Sequence, residues 1–166
     1  MISPTHIPAA SYFSAASPTT SPCRGGYTLQ FGDYCYAYAH ESKTWTDAET
    51  VCRALGGFLP EVFSREQNEF LRGIAAQHGG LSIWIGGNDI FVEGQWFWST
   101  SGNPIRNFTD WYPTQPDNYS PDGYATENCL EINGNQFHWN DALCDARQPF
   151  ICQIHHSLAT SSFVLG

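Results

Sequence analysis

Oxygen-bearing side chains gather in two short stretches of the second half of the chain, QPDNYSPDGYATENC at 115–129 and HWNDALC at 138–144. The candidates are Gln115, Asp117, Glu127, Asn140 and Asp141. Carboxylate and amide oxygens are hard donors, which calcium takes in groups of about six to eight. Pro, Asp and Asn also form ordinary turns, which is the alternative interpretation of the first stretch alone. The second stretch, so soon after Glu127, favours a calcium site, and a bridge between Cys129 and Cys144 would hold the ligand groups close.

Composition limits the classes of protein that this chain can belong to. Its 166 residues have 42% hydrophobic and 15% aromatic side chains, which predicts one packed domain. With 16 acidic against 7 basic residues, the net charge of −9 argues against nucleic acid or anionic membrane as a partner. No apolar stretch approaches the roughly 20 residues of a membrane span.

Cysteine usage predicts an oxidising compartment. The six cysteines form an even set without a CxxC pair, which favours disulfides over zinc and leaves 15 pairings open. We therefore expect a secreted protein, although residues 1–22 lack the basic start and unbroken apolar run of a signal peptide. This segment is rich in Ser, Thr, Pro and Ala and predicts a flexible, O-glycosylated lead-in. We place the folded domain at 23–154 and a loose tail at 155–166.

Two capping boxes predict helices in the first half of the domain. Thr46 to Glu49 precedes a helical repeat of apolar residues, and Ser64 to Gln67 precedes a second. The buried faces should contain, respectively, Trp45, Ala48, Cys52 and Leu55, and Phe70, Leu71, Ile74 and Ala75.

Strand-like patterns occur on both sides of these helices. CYAYA alternates near the start of the domain; LSIWIGG, QWFWST, CLEI, FHW and PFICQI follow after residue 80. Helices followed by antiparallel strands define an α+β fold. The six tryptophans are expected in the core more than on a ligand platform.

Four motifs together resemble the C-type lectin domain in its long form, over Cys23 to Gln153. WIGG at 84–87 is similar to the core signature of that family, and EGQWFW at 93–98 to the segment after it. QPD at 115–117 and WND at 139–141 are similar to its calcium and sugar motifs. The resemblance implies a fold of two helices and antiparallel sheets with a long calcium-binding loop. It also implies three disulfides, Cys23–Cys35, Cys52–Cys152 and Cys129–Cys144.

The same resemblance implies roles for the oxygen-bearing residues. Its primary calcium ligands, and with them the contacts to two sugar hydroxyls, would be Gln115, Asp117, Glu127, Asn140 and Asp141, with a cis peptide at Pro116. The Gln-Pro-Asp order implies galactose or N-acetylgalactosamine rather than mannose. Tyr119 would stack on the apolar face of the sugar, with Tyr124 in reserve. His138, beside Trp139, is a further candidate sugar contact.

Relatives with a second calcium site imply counterparts at Asp89, Glu93, Asn118, Glu127 and Asn128. Asn replaces Asp at two of these positions, which removes charge and predicts weaker occupancy. Two N-glycosylation sequons begin at Asn107 and Asn118. We expect a glycan at Asn107 and none at Asn118, because a glycan there would block the sugar site.

The leading functional interpretation is a secreted calcium-dependent lectin for galactose or N-acetylgalactosamine, with clustering or a homo-oligomer supplying avidity. The alternative is an acidic lectin-like protein of an extracellular or mineral matrix. An enzyme is the third class. The carboxylates Asp117 and Glu127 could resemble a glycosidase pair, but ligands committed to a cation stay ionised and leave no general acid.

Overall fold

The structure is a computed structural model that describes residue 23, residues 26–119, residue 123 and residues 126–159. Over these residues the chain forms one mixed sheet with helices packed beside it. The elements, in chain order, are β1 Leu29–Phe31, β2 Tyr34–Lys43, α1 Trp45–Ala54, α2 Arg65–Gln77, β3 Ile83–Asn88, β4 Phe97–Trp98, β5 Cys129–Ile132, β6 Trp139–Ala142, β7 Gln148–His155 and α3 His156–Ala159.

The sheet has the order β1-β2-β7-β3-β5-β6, with β4 paired to β3. All neighbours run antiparallel except β3 and β7, which are parallel at Trp84 and Phe150. The α+β class is therefore confirmed. The strand expected at CYAYA is present as β2 before the helices, and the departure from the expected antiparallel arrangement is the parallel pair of β3 and β7.

The N-cap of the first helix lies two residues before the start of the predicted capping box. Thr44, not Thr46, is the N-cap, and its hydroxyl accepts the N–H of Asp47 at 3.2 Å. Glu49 is buried and accepts the N–H of Leu59 at 3.1 Å, so its carboxylate holds the following loop instead of closing a cap. The expected buried position of Leu55 is also wrong, since this residue caps the helix at its C-terminus and is exposed.

The second helix begins at its predicted cap. Ser64 is the N-cap, and its hydroxyl accepts the N–H of Gln67 at 3.1 Å. Leu71, Ile74 and Ala75 are buried on the predicted face, and Phe70 packs against them at the edge.

Two boundaries in the second half differ from the sequence patterns. The strand expected at FHW begins only at Trp139, because Phe137 has a positive φ of 56° and cannot continue a strand. The tail expected from residue 155 is partly ordered, since β7 extends to His155 and α3 follows it. The predicted lead-in at 1–22 lies outside the described residues.

Aromatic side chains fill the core on both sides of the sheet. Of the six tryptophans, Trp45, Trp84, Trp96, Trp98 and Trp139 are buried, and Trp111 is partly buried against them. The expectation that tryptophans build the core is confirmed for these residues.

The three disulfides implied by the family resemblance are present: Cys23–Cys35, Cys52–Cys152 and Cys129–Cys144. The second joins α1 to β7 across a separation of 100 residues, and the third joins β5 to the loop after β6.

None of the helices in the described residues has the length and apolarity that crossing a bilayer requires.

A close backbone approach explains one glycine of the WIGG signature. A Cβ added to Gly86 would lie 2.8 Å from the carbonyl oxygen of Leu59 and 3.2 Å from that of Pro60, and neither backbone atom can move cheaply. We predict that Gly86→Ala lowers the free energy of unfolding by about 1–3 kcal/mol, measured by urea denaturation.

The matched control is Gly73→Ala in the middle of α2, where an added Cβ meets nothing within 4 Å. Alanine should there stabilise the helix by about 0.5–1 kcal/mol. Equal stability of both variants would show that the Leu59–Pro60 backbone yields to the added methyl group.

Candidate calcium and carbohydrate site

The QPD segment is fastened to the sheet by its own backbone. The Gln115–Pro116 peptide is cis, as the family resemblance implied. The N–H groups of Asp117 and Asn118 donate to the two carboxylate oxygens of Asp141 on β6, at 3.2 and 2.7 Å. These two bonds bring the loop and the WND strand together at one place.

Glu127 closes the same loop from its other end. The N–H of Tyr119 donates to Asp117 Oδ1 at 3.2 Å and to Glu127 Oε2 at 3.0 Å, while the Glu127 N–H donates to Asn118 Oδ1 at 2.7 Å. Asp117, Glu127 and Asp141 consequently each place a carboxylate oxygen within 4.8 Å of the other two. Three of the five predicted primary ligands therefore converge.

The side-chain amides of the other two predicted ligands, Gln115 and Asn140, already form hydrogen bonds within the protein. Gln115 Oε1 accepts the N–H of Asp117 at 3.0 Å and stabilises the turn from within. Asn140 donates its amide through Nδ2 to Glu131 Oε1 at 3.2 Å and to the backbone oxygen of Asp141 at 2.6 Å. With the nitrogen so engaged, the Asn140 amide oxygen is the atom left for a ligand role.

Glu131 is a site residue that the sequence patterns missed. It is 4% exposed on β5 and, besides the bond from Asn140, accepts bonds from Gln148 at 2.6 Å, Asn133 at 3.0 Å and Ser82 at 3.3 Å. The available signal was an acidic residue inside CLEI, a strand otherwise apolar. Its carboxylate fixes which way the Asn140 amide faces.

The site concentrates negative charge without protein cations. Among the described residues, no Lys or Arg forms an ion pair with Asp117, Glu127 or Asp141. Burial, and next the Asp141 carboxylate and that of Asp117, raise the pKa of Glu127 to about 7. Burial and Asp117 also raise the pKa of Asp141, although backbone hydrogen bonds from Asn118, Asp117 and Asp141 itself oppose the shift. Hard oxygens with uncompensated charge fit calcium.

The counterparts of a second calcium site adjoin the first. Asp89 is 2% exposed, and its Oδ2 accepts the N–H of Gly94 at 2.7 Å, while its own N–H donates to the Asn128 backbone oxygen. Two buried oxygens, Asp89 Oδ1 and Asn128 Oδ1, have no hydrogen-bond donor within the described part of the chain. Burial, with Glu93 and Asp141 nearby, raises the pKa of Asp89. Orphaned oxygens of this kind fit a cation.

The three residues with ring side chains that were predicted to contact the sugar, Tyr119, Tyr124 and His138, differ in their surroundings. Tyr119 is 61% exposed beside Asp117 and is free to contact a ligand. Tyr124 lies outside the described residues. His138 Nδ1 lies 3.1 Å from Asp110 Oδ1, and Asp110 also accepts a bond from Asn68 at 2.6 Å, so this histidine belongs to a structural network beneath the loop.

Fold and site together define a C-type lectin domain, and comparison with known proteins agrees. The family model described as "Lectin C-type domain" matches residues 41–154, so the chain belongs to this family of carbohydrate-binding domains. A galactose-specific lectin, nattectin, from Thalassophryne nattereri is 35% identical over 135 residues, covering 80% of each chain.

Solved structures show the same fold. The carbohydrate-recognition domain of the mouse scavenger receptor C-type lectin superposes with a TM-score of 0.73 at 29% identity, covering 80% of this chain and 98% of that one. A calcium-independent type II antifreeze protein has a TM-score of 0.67 at 30% identity, with coverage of 80% and 94%. Members of the family generally bind calcium, and the antifreeze protein is an exception.

The raised carboxyl pKa values predict how the metal-free protein responds to pH. A carboxyl whose folded pKa exceeds its unfolded value stabilises the fold fully below the unfolded pKa, and loses that contribution as pH rises through the folded pKa. For Glu127 this stabilisation is lost between pH 4.5, the ordinary pKa of the group, and about pH 7, its pKa in the folded protein. In EDTA, the melting temperature should fall as pH rises from 5 to 8, and calcium should reverse the trend.

Thermal unfolding at each pH, with EDTA and with calcium, measures this response. Glu127→Gln is the control. Because an amide does not titrate, the melting temperature of this variant in EDTA should depend less on pH. A melting temperature that rises steadily with pH in EDTA would contradict the assignment of the cluster as an unsatisfied cation site.

We predict that Glu131 raises the affinity of the site for calcium by orienting the Asn140 side chain. Glu131→Gln replaces one accepting oxygen with a donor and leaves at least one of the four donors unmatched. Loss of such an orienting partner costs about 10–100-fold in metal affinity. Isothermal titration with calcium measures the effect, with the exposed Glu66→Gln on α2 as the matched control. Unchanged affinity in a folded Glu131→Gln protein would remove Glu131 from the site.

Proposed function

We propose that this protein is a calcium-dependent lectin that prefers galactose or N-acetylgalactosamine. The observation that supports the proposal most directly is the convergence of Asp117, Glu127 and Asp141 within 4.8 Å, with no protein cation paired to them among the described residues. The primary metal would be held by these three carboxylates together with the amide oxygens of Gln115 and Asn140. Bound calcium supplies open coordination positions for two neighbouring sugar hydroxyls.

The protein's own groups would orient those hydroxyls. Gln115 retains an amide N–H donor, whereas Asp117 offers only acceptors, so the two sides of the QPD turn differ in hydrogen-bonding character. A hydroxyl beside Gln115 can accept a bond and one beside Asp117 must donate one. This order is the reverse of the Glu-Pro-Asn order that the family uses for mannose-type sugars, and it supports a preference for galactose.

Tyr119 supports the same preference. Galactose presents an apolar face of C–H groups, and an exposed aromatic ring near Asp117 can pack against it. The similarity to a galactose-specific lectin is consistent with this sugar class. The proposed second metal, at Asp89, Glu93, Asn118, Glu127 and Asn128, would stabilise the loop by binding only its folded form.

Recognition, not catalysis, is the proposed activity. A single monosaccharide site binds weakly, so we propose clustered glycans or a homo-oligomer as the source of useful avidity, in a secreted protein. The second candidate is an acidic domain of an extracellular or mineral matrix, which the net charge of −9 favours. Calcium-dependent sugar binding separates the two, because a matrix role needs no sugar selectivity.

Retention on immobilised galactose tests the proposal. The protein should bind in calcium, elute with EDTA or free galactose, and bind less well to immobilised mannose. Asp141→Ala should abolish retention, because it removes a metal ligand and the two-bond anchor of the loop. Asp145→Ala, an exposed acidic residue of the same segment, is the matched control and should bind normally.

Tyr119→Ala measures the stacking contribution separately and should weaken galactose binding by up to about 10-fold with calcium affinity unchanged. Retention that survives EDTA would refute the mechanism. A preference for mannose would refute the specificity alone.

A further inference from the structure

A cavity of about 430 Å³ lies between the entrance of α2 and the segment that follows β4. Its volume falls within the range of ordinary ligand pockets. One side is apolar, and the other has exposed polar side chains. The lining residues central to the argument are Phe63, Trp98, Asn103, Arg106, Asn107 and Phe108. The cavity shares no residue with the calcium and carbohydrate site.

The apolar side presents an aromatic ring to solvent. Phe63 is 55% exposed and meets the buried Trp98 edge to face, with ring centroids 6.0 Å apart. Phe108 continues the apolar surface and is itself braced against Trp139. An exposed phenyl group on a rigid aromatic base suits the C–H face of a sugar ring.

The polar side has unused hydrogen-bonding capacity. Across the described residues, the side chains of Asn103, Arg106 and Asn107 have no hydrogen bond or ion pair. Together they offer amide and guanidinium donors and amide acceptors. Such a surface can stack on the apolar face of a sugar ring and hydrogen-bond an acetamido group.

One of the lining residues can carry such a carbohydrate covalently. Asn107 is exposed and begins the sequon Asn107-Phe108-Thr109. The second sequon differs, because the Asn118 amide oxygen already accepts the Glu127 N–H at 2.7 Å inside the calcium site.

We propose that Asn107 carries an N-linked glycan whose first N-acetylglucosamine units lie in this cavity against Phe63. In the modification, a glycan is transferred from a lipid diphosphate donor during export. The bond from sugar C1 to Asn107 Nδ2 forms, the C1–oxygen bond to the diphosphate breaks, one amide proton leaves, and the lipid diphosphate departs. Arg106 and Asn103 then bind the acetamido and hydroxyl groups. This inference does not depend on the proposed lectin function.

Covalent attachment explains why weak contacts in the cavity suffice. A sugar tethered to the rim has an effective concentration of about millimolar or higher, so weak stacking and hydrogen bonds can hold it. The glycan would cover an aromatic surface that is otherwise exposed.

The test uses the full chain secreted from eukaryotic cells that make high-mannose glycans. Glycopeptide mapping should find Asn107 occupied and Asn118 unmodified. Thr109→Ala removes the sequon while keeping the cavity, and endoglycosidase H leaves only the first N-acetylglucosamine. The intact and the trimmed proteins should both melt roughly 2–4 °C above Thr109→Ala.

A double-mutant cycle with Phe63→Ser tests whether that difference in melting temperature comes from contacts between the glycan and the cavity. In the Phe63→Ser background, the change in melting temperature caused by Thr109→Ala should fall by at least half, whatever the serine itself costs. Galactose retention should stay unchanged in all these proteins.

Two results would overturn the proposal. One is a secreted protein with Asn107 unmodified, and the other is a glycan-dependent shift in melting temperature that Phe63→Ser leaves intact. In the first case, binding of added di-N-acetylchitobiose by Thr109→Ala would make the cavity a site for external glycans instead.

Discussion

The site depends on one buried carboxylate that accepts two backbone bonds. Asp141 lies on β6, paired with Leu130 of β5, and is nearly inaccessible to solvent. Its two oxygens accept the N–H groups of Asp117 and Asn118 from a loop more than twenty residues earlier. Because β6 is part of the sheet, the rigidity of the core extends through this carboxylate to the QPD turn. The Cys129–Cys144 bridge restrains the flanking chain on either side of the same strand pair.

This arrangement concentrates like charges, which is the electrostatic reason for proposing that a cation binds there. A loop held by carboxylates is ordered against their mutual repulsion, since burial and neighbouring acids raise the pKa values of Glu127 and Asp141. A divalent ion bound among these carboxylates would offset that repulsion and would leave the hydrogen bonds from the backbone of Asp117 and Asn118 in place. Under the proposed function, metal binding and the stability of the carboxylate cluster are therefore coupled.

Much of the fold could be predicted from local chemistry. Ser64 to Gln67 and the CYAYA, CLEI and PFICQI strands depend on spacing within a few residues, and the structure has elements there. The α1 cap was misplaced because Thr44 and Thr46 are both competent. Thr44 accepts the N–H of Asp47, and Glu49 bonds to Leu59 instead of closing a cap at Thr46, a tertiary contact that the spacing does not reveal.

The sequence could indicate which carboxylates converge, but not which residues support them. Side-chain type alone marks Asp117 and Glu127 as hard donors, and the WND motif marks Asp141. Glu131 could not be assigned in this way, because its role lies in four bonds from separate segments, among them Gln148 at the start of β7. The pairing of cysteines likewise needed the family resemblance, since counting left many alternatives.

The path of β7 has a consequence for how the domain can be built into larger assemblies. The strand begins at Gln148, beside Glu131, and ends at His155, where it pairs with Tyr34 near the first disulfide. Eight residues of strand span roughly 23 Å. The first disulfide and the end of β7 are thus neighbours, at the end of that strand remote from Glu131. A stalk, a second domain or a solid support attached at this end would be separated by about the length of β7 from Glu131 and from the Asn140 that bonds to it, so that many copies could be displayed with these two residues away from the attachment.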